Sequence, residues 1–100
     1  MAPSSQESYV RELLKLPVPE AKEKLWSDGW LVGVQQMDGD PTYPVYQDRE
    51  GNPFHGKSKA GKLLAAIEIE GDHISKIQFY DTNTATGDAV PIPPGRIFVQ

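Results

Sequence analysis

The chain contains no cysteine. That absence removes disulfides, thiol nucleophiles and thiolate zinc sites together. Long apolar runs are missing as well. The longest covers only residues 63–67, whereas a membrane-spanning helix needs about 20. Positive charge is scarce: Lys and Arg number 10 against 14 Asp and Glu, for a net charge of −4. Generic binders of nucleic acid or anionic membranes carry the opposite excess, so neither partner is expected from the overall charge. Histidine occurs twice, at positions 55 and 73. The first six residues are polar and carry no basic start, so no leader is read there and a cytoplasmic location is expected.

What remains is enough for one domain, residues 1–100. A composition 38% hydrophobic and 24% charged can bury a core, and nine Gly and nine Pro gather in segments that read as turns. Residues 4–16 are predicted to be a helix. Ser4 and Glu7 have capping-box spacing, and Tyr9, Val10, Leu13, Leu14 and Leu16 fall near one face. Pro17 and Pro19 end it. A second helix is predicted over 19–27, with Ala21, Leu25 and Trp26 inward and Asp28-Gly29 as its stop.

From Trp30 the period changes to two. Strands are predicted over 30–36, 43–47, 53–56, 63–70, 73–80 and 96–99, the last as an edge strand, although residues 62–66 would also make a good helix. A three-residue loop at 70–72 would put Leu63, Ala65, Ile67 and Ile69 on one face with His73, Ser75, Ile77 and Phe79. A two-residue Gly71-Asp72 turn would instead set Ile67 opposite Lys76, so burial favours the first register. Residues 81–95 read as a long connection with no element of their own. Helices first and strands after imply an α+β domain. Its N-terminal helical hairpin packs on one face of a mainly antiparallel four- to five-stranded sheet.

Several constellations invite a chemical reading. Residues 56–63, Gly-Lys-Ser-Lys-Ala-Gly-Lys-Leu, approach the phosphate-cradling loop, but Leu63 stands where a magnesium-holding hydroxyl belongs. The segment reads as a mobile basic loop whose Lys57, Lys59 and Lys62 could meet a phosphate or an acidic partner. Asp38, Asp40 and Asp48 fail the spacing of a calcium loop and read as turn residues. His73 with Asp72, Glu68 and Glu70 outlines an acid–base cluster, yet neighbours on a strand face opposite ways. No metal site and no cofactor are expected. Of the aromatic residues, Trp26, Trp30, Tyr43, Tyr46, Phe54, Tyr80 and Phe98 are read as packing, with Phe54 beside a basic stretch.

Val45, Tyr46, Gln47, Asp48, Arg49, Glu50 and Gly51, followed by Gly56-Lys57-Ser58, resemble the guanine-recognition loop of the small microbial guanyl-specific ribonucleases. The resemblance implies base recognition by Glu50 and a general base at Glu68. The family's C-terminal histidine has no counterpart, because the last strand offers Arg96 instead.

Two functions follow as expectations. The first is a small soluble non-catalytic protein-binding module of inhibitor, immunity or adaptor type. It would present Val90, Pro91, Ile92, Pro93, Pro94 and Arg96, or an acidic surface around Asp38, Asp40, Glu68 and Glu70. Prolines lower the entropy cost of offering such a segment to a partner protein. Alternatively, a ribonuclease-like domain, active or degenerate, would take RNA or a guanine nucleotide through Tyr46, Arg49, Glu50 and Lys57.

Overall fold

The computed structural model describes residues 4–35, 45–93 and 97–98. Ser4 and Ser5 form a short strand, β1 (Ser4–Ser5), so the first helix, α1, spans Gln6–Leu14 and the predicted cap at Ser4 gives way to strand pairing. Its Tyr9 and Leu13 are buried. The second helix, α2 (Val18–Ser27), starts one residue earlier than predicted. Pro19 sits in its first turn, where a missing N–H leaves no bond unmade. Ala21 and Leu25 are its buried residues.

Six strands follow in one mixed sheet: β2 (Trp30–Val34), β3 (Tyr46–Gln47), β4 (Pro53–Phe54), β5 (Leu63–Glu70), β6 (His73–Thr82) and β7 (Ala89–Pro91), in the order β4-β3-β2-β5-β6-β7. The domain is α+β, but the sheet is one strand larger than expected and its central β2–β5 pair is parallel. The β3–β4 hairpin stays on one side of β2. The chain then crosses to the other side before β5, and such a crossover makes neighbours parallel. The C-terminal strand, β8 (Ile97–Phe98), does not join this sheet as predicted but pairs with β1 in a separate two-stranded ladder.

Alternation along the strands sends side chains to two cores. On the helix side lie Trp30, Val32, Ala65, Ile67, Phe79 and Ile92, packed against Tyr9, Leu13, Ala21 and Leu25. The Phe79 ring meets Trp30 at 4.7 Å and Tyr9 at 5.8 Å between centroids, within the range of favourable tilted aromatic pairs. The opposite face carries a smaller cluster of Leu31, Tyr46, Leu64 and Ala66, edged by Phe54 and Tyr80.

The β5–β6 hairpin corrects the predicted register. Glu70 pairs with His73 across a two-residue Gly71-Asp72 turn, yet Ile67 still faces Ile77. An irregularity between Glu68 and Ile69 reconciles the two: Ile69 pairs with Ile74 and Glu68 with Lys76, leaving Ser75 as the extra residue. Ile74 is therefore buried, while His73 and Ser75, expected on the apolar face, are exposed. No helix among the described residues is long and apolar enough to cross a membrane.

Candidate functional site

Residues 81–95 were expected to lack structure, but β6 runs on to Thr82 and β7 returns beside it. Tyr80 pairs with Pro91, Asp81 with Val90 and Thr82 with Ala89. Between them Asn83 closes the turn. Its N–H donates to the Asp88 carbonyl at 2.9 Å, its carbonyl accepts from Gly87 N–H at 2.8 Å, and its side-chain oxygen accepts from Ala85 N–H at 2.8 Å. Within the predicted contact segment the structure divides the residues. Ile92 is 5% exposed and belongs to the helix-side core, its N–H donating to the Phe79 carbonyl at 3.0 Å. Ala89, Val90, Pro91 and Pro93 are exposed, Val90 by 50%. Pro94 and Arg96 lie outside the described residues, as do Asp38 and Asp40.

The Ile92–Phe79 bond also sets the polarity of this edge. Backbone groups alternate along an antiparallel strand, so the N–H position of Pro91 points away from β6. Proline takes nothing from the ladder there and denies a donor to any incoming strand.

The residues of the predicted guanine loop are separated. Tyr46 is 3% exposed, leaving no open ring face for a base. Arg49 reaches back to α2, 2.7 Å from a Glu23 carboxylate oxygen and 2.9 Å from Ser27 Oγ. Glu50 is exposed in the hairpin turn. The Asp48 carboxylate organises that turn by accepting from Glu50 N–H at 3.0 Å and Asn52 N–H at 2.9 Å. These bonds, the one from Asn52 N–H foremost, hold Asp48 below the usual carboxylate range. Trp26 Nε1 donates to the Gln47 carbonyl at 3.0 Å and ties the hairpin to α2.

The basic segment also differs from expectation. Gly56–Lys59 forms a 3-10 turn in which Ser58 N–H bonds the His55 carbonyl and Ala60 N–H the Lys57 carbonyl. Thr82 Oγ1 lies 3.1 Å from the Lys59 carbonyl oxygen and 2.8 Å from that of Lys62, pinning the segment to β6. Gly87 pins its other end: a Cβ there would lie 2.4 Å from the Gly56 carbonyl oxygen. The result carries Lys59 over the second core, its ammonium nitrogen 5.2 Å from the centre of the Tyr46 ring. Burial, with a smaller contribution from Tyr80, pushes the Tyr46 phenol up to about 12. Composition singled out Lys57, Lys59 and Lys62 together. Only the 20-odd-residue separation between Thr82 and the segment it anchors, invisible to local pattern, decides which of them is buried.

His73 pairs with Asp72 at 2.6 Å on the exposed hairpin tip, and that hydrogen bond holds Asp72 below its ordinary range. Glu70 is exposed opposite His73, so these two and Asp72 share the hairpin tip, while Glu68 is half-buried opposite Lys76. Comparison with protein-family models, curated proteins and solved structures returns no match, so the site is read from its own geometry.

Proposed function

We propose that the protein is a non-catalytic protein-binding module of inhibitor, immunity or adaptor type, and that it meets its partner through the β6–β7 hairpin and the residues leaving it. The observation that carries this reading is the exposure of Val90, Pro91 and Pro93 along an edge segment that is anchored in the core by Ile92. Among the described residues, Val90 is one of three exposed large hydrophobic residues, with Val34 and Val45. A half-exposed valine on a rigid edge loses little entropy on binding and gains from burial against an apolar groove. The proline at position 91 directs the contact toward side-chain docking and away from strand addition.

The test is affinity capture on the immobilised full chain from cells that make it, followed by purified binding measurements with Val90→Lys. This reading expects one partner whose affinity falls at least tenfold, equivalent to about 1.4 kcal/mol. Equal affinity for the variant overturns it.

A further inference from the structure

Among the described residues the Lys59 ammonium meets no anion. The residue is 8% exposed, yet no ion pair or hydrogen bond engages its side-chain nitrogen among the described residues. The Tyr46 and Tyr80 hydroxyls likewise have no protein partner there. All three residues belong to or border the cluster opposite the helices. No fully buried side-chain nitrogen or oxygen lacks a partner among the described residues, so these three polar heads open to the surface of that cluster.

A cation beside so much apolar surface has given up part of its hydration. The Tyr46 ring offsets some of that loss through its quadrupole but supplies no hydrogen-bond acceptor for the ammonium protons. What the arrangement lacks is an anionic oxygen. The segment is held for one by the Thr82 hydroxyl and by the close approach of Gly87 to Gly56, so little ordering remains to be done on binding. Lys57 and Lys62, both exposed on the same segment, add positive potential around the entrance.

We propose that Lys59, with the hydroxyls of Tyr46 and Tyr80 as further donors, forms an oxyanion-binding site for a carboxylate or phosphate group. The ammonium supplies charge, and each phenol can supply an O–H donor. With its phenol pushed up to about 12, Tyr46 keeps that proton at neutral pH. The site does not depend on the hairpin contact and stands or falls separately.

Isotope-labelled full-length protein is titrated with sodium phosphate and, separately, with sodium acetate, at ionic strength held constant with sodium chloride. The readouts are the Lys59 side-chain carbon resonances and the Tyr46 and Tyr80 ring resonances. The site predicts a saturating curve shared by Lys59 and Tyr46, with Lys57 and Lys62 showing only a weak linear drift. Saturation by phosphate alone assigns a phosphate ligand; saturation by acetate assigns a carboxylate. Lys59→Met abolishes the curve, and Lys59→Arg retains it in part. Linear drift of equal size at all three lysines overturns the proposal, as does a saturating Tyr46 response that survives in Lys59→Met. If Lys59→Met does not fold, the wild-type titration with Lys59→Arg still decides between these outcomes.

Discussion

The Tyr9 hydroxyl donates a 2.5 Å hydrogen bond to Asp28 Oδ2, joining the buried face of α1 to the residue that ends α2. Lys24 Nζ lies 3.6 Å from the same carboxylate oxygen and 5.5 Å from the Tyr9 ring centre. The bond therefore ties the two helices to each other. Tyr9→Phe keeps the ring against Phe79 and removes only the hydroxyl. The expected loss is about 2 kcal/mol, the range for a hydrogen bond to a charged group, measured by urea unfolding. An unchanged midpoint would mean that water serves Asp28 equally well.

Tyr9 and Tyr46 both hold their phenolic protons above the ordinary range, chiefly through burial. The sign follows from linkage. A raised folded value contributes stability that is complete below the unfolded value near 10 and is lost as pH rises through the folded one. For Tyr46 that window runs from near 10 to about 12. Urea unfolding from pH 9 to 11.5 is expected to show falling stability, with a shallower fall in Tyr46→Phe. Identical slopes in wild type and variant would contradict the burial of this phenol.

Ser75 is the extra residue that lets a two-residue turn coexist with the Ile67–Ile77 pair. Removing it leaves each named pair of β5 and β6 possible in an uninterrupted ladder, so a Ser75 deletion is expected to fold. Deleting Gln78 reverses the faces of one part of β6 relative to the rest and is expected to unfold the domain. Far-ultraviolet circular dichroism and thermal melts separate the two outcomes.

That bulge shows what the sequence made legible and what it hid. The helix stripes of Tyr9 and Leu13 and of Ala21 and Leu25 could be read from spacing, because each depends on residues within three or four positions. So could the end of β5, where Ile67 and Ile69 alternate with Glu68 and Glu70, whereas its start at Leu63 suited a helix equally well. The step of three from Ile74 to Ile77 was the signal for the bulge, since it breaks a period of two between residues that share a core. The parallel β2–β5 pair had no such signal. It depends on where a crossover of nearly thirty residues carries the chain. The burial of Lys59 was hidden for the same reason, resting on Thr82 and Gly87 far along the sequence.

Gly87 has φ of +79° and no room for a Cβ beside the Gly56 backbone, whereas Gly71, with φ of +66°, faces open space. Gly87→Ala therefore adds a steric clash to the left-handed strain of about 1–2 kcal/mol that Gly71→Ala incurs alone. The melting temperature is expected to fall further for Gly87→Ala. Its Lys59 and Tyr46 resonances should also shift, because the clash displaces the segment carrying Lys59. Equal melting temperatures for the two variants would show that the segment yields without strain.

Amide hydrogen exchange of the chain with and without its captured partner tests most directly whether the partner docks on the exposed residues beside Ile92. Slowed exchange concentrated in residues 83–93, and absent when Val90→Lys replaces the wild type, is the predicted result. Protection confined to the helices or to the 46–52 hairpin, with residues 83–93 exchanging as in the free protein, would contradict it.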